Sequence, residues 1–268
     1  MSSPIRTFQA GAMHVHIFSS KREASEVAAE AAAAILRAAI ASRDHARMVV
    51  STGNSQLDFI DALVRARDLD WTAVEALHLD EYAGMAPTHP ASFRLWLKTR
   101  LADRVPLRAM HYVNGDAPDL EAECRRYGAL LAEAPIDAGF IGIGENGHIG
   151  FNDPPVADFD DPLPIKIVRL DDACRRQQVG EGHFDGISAV PEFALSLTCP
   201  TIVGMTNLIC CVPELRKARA VRDAIEGPIS TACPASILRT HPAAQLYLDL
   251  ESASLLAGRD AGDPPEMQ

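Results

Sequence analysis

The chain has 268 residues, of which 47% are hydrophobic and 23% are charged, as in an ordinary globular protein. The formal net charge of −11 argues against nucleic acid as a partner, although backbone amides and a few basic side chains could still bind a small anion. No apolar run approaches the roughly 20 residues of a membrane-spanning helix, no N-terminal signal pattern is present, and the six cysteines show no CxxC or zinc spacing, so we expect a cytoplasmic protein without membrane contact.

Strand-like apolar runs alternate with helical patterns along almost the whole chain. Strands are predicted at 13–18, 47–51, 76–79, 110–113, 138–143, 165–169, 194–198, 208–212 and 245–250. Helices are predicted at 21–41, 56–66, 90–101, 120–133, 215–226 and 233–239. This alternation predicts a Rossmann-like α/β fold, in which helices cover both faces of a doubly wound, mostly parallel sheet. With no repeat and no linker, residues 1–268 are expected to form a single domain.

Residues 153–192 interrupt this alternation of strand and helix patterns. The stretch 153–164 holds four prolines and four aspartates and is unlike a helix or a strand. Because the whole stretch is long for a connection, we predict a lid segment at about 153–192. The residues from about 258 resemble a frayed tail.

The predicted strand at 47–51 ends in the sequence Ser51-Thr52-Gly53-Asn54-Ser55. Small hydroxyl residues and a glycine before a helix suit a phosphate, since free amides and the helix dipole favour anions. Alternatively, Ser55 only caps the helix that starts near residue 56. The two roles are compatible.

Two adjacent carboxylates, Asp80 and Glu81, follow the predicted strand at 76–79. In an extended conformation neighbouring side chains point to opposite sides, so only one of them need enter a cleft. The alternative interpretation is a helix cap or a solvated turn.

The most informative stretch is Gly139–Pro154, with the sequence GFIGIGENGHIGFNDP. It carries His148 among Glu145, Asn146, Asn152 and Asp153 in a glycine-rich loop, which favours acid–base chemistry over a packed histidine. Three spaced glycines after a strand are also found in dinucleotide-binding motifs, but no clear helix opens after them here.

Two further sets of residues carry weaker signals. Lys217 lies in the first turn of the helix predicted after strand 208–212, where it could bind a phosphate or be a solvated lysine. His14 and His16 share one strand face, but no third metal ligand is evident, so no metal site is predicted.

Together these motifs resemble the glucosamine-6-phosphate deaminase (isomerase) family, in the wider group that includes 6-phosphogluconolactonase. The matching pieces keep the family's order and spacing over roughly residues 45–245. They are 51–55, 79–82 (LDEY), 89–93 (HPASF), 142–154, Lys217-Ala218 and His241-Pro242. The lactonase branch is disfavoured because it carries a GHTASLFP-type sequence where this chain has GHIGFNDP.

The resemblance implies conversion of glucosamine 6-phosphate and water to fructose 6-phosphate and ammonia, without a metal or an organic cofactor. It implies that Asp80 is the general base that moves a proton between C2 and C1. His148 would open the sugar ring, oriented by Asn146 and Asp153. The substrate phosphate would be held by Thr52, Gly53, Asn54, Ser55 and Lys217.

The chain also departs from the family's pattern. Most members have glutamate in place of Asp153, and the arginine that binds phosphate from the lid has no certain counterpart; Arg175 and Arg176 lie nearby in the sequence. The basic allosteric cluster of some members is replaced by the Pro/Asp-rich stretch, so we expect no activation by N-acetylglucosamine 6-phosphate.

Three functions are therefore compared. They are the deaminase, a related isomerase or lactonase that acts on galactosamine 6-phosphate or a sugar lactone, and a non-catalytic sugar-phosphate sensor. The sequence leaves open whether the chain forms a homo-oligomer.

Overall fold

The computed structural model describes residues 2–257, so the predicted frayed tail lies outside the described residues. The strands are β1 (Arg6–Ala10), β2 (Met13–Phe18), β3 (Ala46–Val50), β4 (Val74–His78), β5 (Asp80–Tyr82), β6 (Ala109–His111), β7 (Ala138–Ile141), β8 (Ile165–Arg169), β9 (Phe193–Leu197), β10 (Leu208–Cys211) and β11 (Ala244–Asp249). The α-helices are α1 (Lys21–Arg43), α2 (Leu57–Leu63), α3 (Phe93–Leu97), α4 (Leu120–Ala132), α5 (Asp172–Gly180), α6 (Cys199–Val203) and α7 (Ala218–Glu226).

Eight strands form the main sheet, in the order β1-β2-β11-β10-β7-β3-β4-β6. All neighbours are parallel except β1 and β2. Every residue of β3, β7 and β10 is buried, as expected for strands covered on both faces. The predicted mostly parallel α/β fold is confirmed, although the antiparallel edge strand β1 was not predicted.

Helices cover both faces of this sheet. On one face α1 and α2 pack in a core that includes Leu36, Met48 and Phe140. The buried side of α1 is mainly alanine, which lets the helix lie close to the strands, and the Ser20 side chain caps it by accepting from the Glu23 amide. The core of the opposite face includes residues of α4, α6 and α7.

A second, antiparallel sheet has the order β5-β9-β8. The strands predicted at 165–169 and 194–198 therefore exist, but outside the parallel sheet. Two predicted helices also differ: residues 90–92 precede α3, which continues as a π-helical turn at Lys98–Ala102, and Pro234–Thr240 is a 3₁₀-helix.

The lid segment, residues 153–192, has two parts. Residues 153–164 form turns and irregular chain, as predicted, whereas the rest contains β8 and the unpredicted helix α5. Asp171 caps α5 by accepting from the Cys174 amide. That this segment opens and closes, and that the chain is a single domain, stay predictions. Within residues 2–257, no helix combines the length and apolar character needed to cross a bilayer.

The direction of chain progression reverses between β3 and β7. From β3 the chain proceeds to β4 and β6 on one side, and from β7 to β10 and β11 on the other. The helices on the two sides leave a crevice beyond the carboxyl ends of these strands, which is where ligands bind in open α/β sheets.

Candidate active site

The carboxyl ends of four adjacent parallel strands surround one cavity. Thr52, Gly53 and Ser55 follow β3, Asp80 follows β4, His148 lies in the loop after β7, and Lys217 follows β10. Asn54, Asn146 and Asp153 do not line this cavity but lie behind the residues that do. The structure thus brings the predicted site residues together at the edge where the chain direction reverses.

The loop Thr52–Ser55 presents unpaired backbone donors. Its N–H groups form no hydrogen bond with any residue of 2–257, and Gly53 has a φ of +105°, a conformation that L side chains rarely adopt. Neither the 3₁₀ turn Asn54–Gln56 nor α2 has a side-chain cap, so the interpretation of Ser55 as a helix cap is wrong. Free amides and hydroxyl groups at this position can bind an anion.

Lys217 is buried in the wall of the cavity, so its interpretation as a solvated lysine is wrong. Burial lowers its pKa, while the nearby Glu181 carboxylate opposes this shift. Among residues 2–257 its ammonium group has no ion-pair or hydrogen-bond partner. The chain enters this turn through Glu214, which has a φ of +84° and whose N–H donates to the Asp249 carboxylate. A buried, unpartnered cation at a cavity wall is suited to a negatively charged ligand.

The two adjacent carboxylates of β5 have separate environments. Glu81 accepts hydrogen bonds from the Ser92 hydroxyl and from three backbone amides, including those of Phe93 and Arg94 at the start of α3. Asp80 lines the cavity, and its carboxylate has no hydrogen-bond partner among residues 2–257. Burial, together with the neighbouring Glu81, raises the pKa of Asp80 to about 8. Glu81 is therefore structural, and Asp80 is the carboxylate available for proton transfer.

His148 is held from behind by Asp153 and Asn146. Its Nδ1 lies 3.0 Å from Oδ1 of Asp153, although the angle falls short of a standard hydrogen bond. The Asn146 side chain donates to the same carboxylate at 2.9 Å, and its oxygen accepts from the His148 amide. Burial alone would raise the pKa of Asp153, but His148 and Asn146 together lower it. Asp153 therefore stays ionised, with its carboxylate facing Nδ1 of the ring.

Two glycines make room for this arrangement. A Cβ atom on Gly144 would lie 2.2 Å from the His148 ring, so any side chain there would displace the ring. Gly150 has a φ of +57°, and its Cβ would lie 2.8 Å from the Ser196 hydroxyl and 3.6 Å from Asp80. The loop therefore approaches both His148 and Asp80 closely because glycine occupies these positions.

One group of side chains has the composition of a metal site. His148, Asp153 and Cys174 are buried, and one potential ligand atom of each lies within 4.8 Å of the others. Burial, with Asp153 and Asp171 nearby, raises the pKa of the Cys174 thiol well above its usual range. The Asp153 carboxylate of this group already accepts hydrogen bonds from the Asn146 side chain and the Asp171 amide.

The sequence motif 51–55 included Ser51 without giving it a role of its own, and sequence reasoning missed other residues that line the cavity. Ser51 ends the buried run of β3, and its hydroxyl has no partner among residues 2–257. The lid segment contributes Gln177, Gln178 and Glu181 from α5 and its end. Arg175, a candidate for the missing lid arginine, instead donates to the carbonyls of Ile187 and Val190. The hydroxyl at the end of a buried strand was a usable signal for Ser51, whereas nothing local indicated the others.

The chain is similar in sequence to proteins of one known family. The family described as glucosamine-6-phosphate isomerases/6-phosphogluconolactonase matches residues 19–151. The glucosamine-6-phosphate deaminase of Listeria welshimeri is 36% identical over 207 residues, which cover 77% of this chain and 86% of that protein. That of Bacillus cytotoxicus is 34% identical over 235 residues and covers 87% of each.

Solved structures agree with this. A monomeric glucosamine-6-phosphate deaminase has a TM-score of 0.82 and 32% identity, and covers 90% of this chain and 99% of that one. The 6-phosphogluconolactonase of Trypanosoma brucei has a TM-score of 0.73 but only 15% identity, over 94% of this chain and 100% of that one, and so shares the fold alone. The chain belongs to the family of glucosamine-6-phosphate isomerases and 6-phosphogluconolactonases.

Proposed function

We propose that this protein is a glucosamine-6-phosphate deaminase, which converts glucosamine 6-phosphate and water to fructose 6-phosphate and ammonia. The observation that carries the proposal is the position of Asp80, His148 and Lys217 around one cavity. An aldose–ketose shift needs a base beside C1 and C2, ring opening needs a separate acid–base group, and the phosphate needs a cation away from both.

In the proposed mechanism, His148 protonates the ring oxygen as the bond between C1 and that oxygen breaks, and the proton released by the C1 hydroxyl passes back to the imidazole. Asp153 stabilises the imidazolium that precedes this transfer. Asp80 then moves the proton from C2 to C1 through an enolamine, while O1 gains one proton and the amino nitrogen loses one, which converts the open-chain 2-amino aldehyde to a 2-imino sugar. Water adds at C2 and ammonia leaves. The net reaction hydrolyses a carbon–nitrogen bond.

The pKa of Asp80 suits this role. A general base works best when its pKa lies near the operating pH, and a value of about 8 meets this condition. The base must be ionised to act, so kcat/KM should rise with pH up to about 8.

The substrate phosphate is assigned to the other end of the cavity. Lys217 supplies the charge, and the Thr52–Ser55 loop supplies amides and hydroxyl groups. Binding energy from this remote group positions the reacting carbons, as in many enzymes that act on phosphorylated substrates. The six cysteines are all free, which supports a reducing compartment such as the cytoplasm.

The test is ammonia release from glucosamine 6-phosphate, with galactosamine 6-phosphate and 6-phosphogluconolactone as competing substrates. We expect glucosamine 6-phosphate to have the highest kcat/KM, and Asp80→Asn to lower it by about 10³-fold or more. The control, Asp160→Asn, removes an exposed carboxylate and should leave the rate unchanged. Lactone hydrolysis without ammonia release would reject the deaminase, and binding without turnover would favour a sensor.

A further inference from the structure

A carboxylate, Glu181, occupies the part of the cavity that is assigned to the phosphate. Glu181 caps the C-terminal end of α5 in the lid segment. Its side chain is only 5% exposed, and it lines the cavity together with Thr52, Ser55 and Lys217. A buried carboxylate is an unexpected neighbour for a phosphate.

The position of Glu181 is fixed by specific contacts. Its Oε1 lies 3.1 Å from Nη1 of Arg216 and accepts a 2.8 Å hydrogen bond from the Gln177 side chain. Its backbone carbonyl accepts from the Asn54 side chain at 3.3 Å. The end of α5 is therefore tied directly to the loop Thr52–Ser55.

Arg216 is shared by three carboxylates. Besides Glu181, its guanidinium contacts Glu214 at 2.7 Å and Glu145 at 3.5 Å. Its neighbour Lys217 has no ion-pair partner among residues 2–257. Burial lowers the pKa of Lys217, and the negative charge of Glu181 acts in the opposite direction. Glu181 thus acts both on Lys217, which lines the cavity, and on Arg216, which is the next residue in the chain but does not line it.

A phosphate dianion and the Glu181 carboxylate would compete for these cations. Like charges brought together away from water repel strongly, so a phosphate can pair with these cations only by displacing the Glu181 carboxylate, which lowers its affinity. A neutral hydroxymethyl group at C6 of a sugar could not make this exchange. Glu181 would therefore make entry to the site depend on a phosphate group.

We propose that Glu181 is an internal competitor of the substrate phosphate for Arg216 and Lys217, and that phosphate binding displaces it and transfers Arg216 to the phosphate. The proposal rests on the proposed function in taking the Thr52–Ser55 loop and Lys217 as the phosphate subsite. In this proposal Arg216, which follows β10, binds the phosphate in place of the arginine that the family carries in its lid. It also makes displacement of the end of α5 a condition of substrate binding.

The test is calorimetric titration of the full-length protein with inorganic phosphate. Glu181→Gln removes the competing charge and should tighten the dissociation constant by about 10-fold. Glu181→Asp keeps the charge and should remain within about 2-fold of the unmodified protein. The matched control Glu192→Gln removes an exposed carboxylate outside the cavity and should change nothing. Thermal melting of each variant verifies that it is folded.

Two further variants separate this proposal from the phosphate subsite itself. In the Glu181→Gln background, Arg216→Met should remove most of the 10-fold gain, since Arg216 would be the new phosphate ligand. If Lys217→Met weakens phosphate binding while Glu181→Gln leaves it unchanged, the competition is overturned and the subsite stands. If Lys217→Met has no effect on phosphate binding, the subsite is overturned and the competition with it.

Discussion

The two walls of the cavity are built in different ways. The wall at the sheet edge carries Asp80, His148 and Lys217, each within a few residues of a fully or largely buried parallel strand. The wall from the lid segment carries Gln178 on the nine-residue helix α5 and Glu181 directly after it. The backbone hydrogen bonds between the parallel strands therefore hold the first wall in place, whereas side-chain contacts hold much of the second.

The contacts between the walls show this difference. Tyr82 donates to Gln178 at 2.7 Å, the Glu145 amide donates to Gln177 at 2.9 Å, and Asn54 donates to Glu181. A small apolar cluster beneath them joins aromatic residues of the sheet side to the lid segment. It includes Tyr82, Phe93, Phe151, Val168, Cys174 and Val190. Because this cluster is much smaller than the two cores of the main sheet, the lid segment should open at a lower free energy than the sheet. The comparison predicts that changes at the sheet edge affect chemistry and that changes in the lid segment affect binding.

After the change at Asp80, the largest expected effect is that of His148→Gln. Glutamine keeps polar atoms at the position but cannot transfer the proton that opens the ring, so kcat should fall by about 10³-fold while KM changes little. Steady-state ammonia release measures this. A substrate supplied already in its open-chain form should partly restore the rate of the variant. A normal kcat for the His148→Gln variant would show that His148 does not open the sugar ring.

Lys217→Met should lower kcat/KM by about 10²-fold, because the phosphate loses its buried counter-charge. Methionine keeps much of the apolar volume, so the fold should persist. The control Lys98→Met removes an exposed lysine that pairs with Asp103 outside the cavity and should have less than about a 2-fold effect. Equal losses in the two variants would show that the net charge, and not the position of Lys217, governs substrate binding.

The buried carboxyl group of Asp80 at the sheet edge should lower the free energy of unfolding in a pH-dependent way. Folding raises the pKa of Asp80 from 3.8 to about 8. At a pH between about 4 and about 8, Asp80 is therefore ionised in the unfolded chain but still protonated in the folded chain. Asp80 therefore destabilises the fold increasingly as the pH rises from about 4 to about 8, and the cost is constant above that. Asp80→Asn should be more stable than the unmodified protein, with an advantage that grows by roughly 2–4 kcal/mol between about pH 5 and about pH 9.

Urea unfolding of both proteins at several pH values measures this difference. Asp160→Asn, which changes an exposed carboxylate, should show no such trend. An advantage of Asp80→Asn that shrinks with rising pH would contradict the raised pKa, and with it the assignment of Asp80 as a base that titrates near neutrality.

The two walls also differ in how far the sequence predicted them. The sheet edge was predicted because buried strands such as β3 and β7 are continuous apolar runs, and the residues that follow them carry unusual turn chemistry. The small second sheet and α5 were not predicted. A three-residue strand such as β5 has too little pattern, its pairing with β9 joins residues more than 100 positions apart, and α5 has a mainly polar sequence. The place of Glu181 depends on contacts with Asn54 and Arg216, which no local pattern encodes.

The smallest expected effect belongs to the lid segment. Gln178→Ala removes the acceptor of the Tyr82 hydroxyl and leaves that buried donor without its partner, which should favour displacement of α5. We expect KM to rise by about 5-fold with kcat nearly unchanged, since the residues of the sheet edge are untouched. Tyr82→Phe removes the donor instead and leaves no unpaired hydroxyl, so its effect should be smaller, and the double variant should resemble Tyr82→Phe more than the sum of both changes. A large fall in kcat for Gln178→Ala would mean that the lid segment takes part in the chemical step. It would contradict the assignment of chemistry to the sheet edge and of binding to the lid segment.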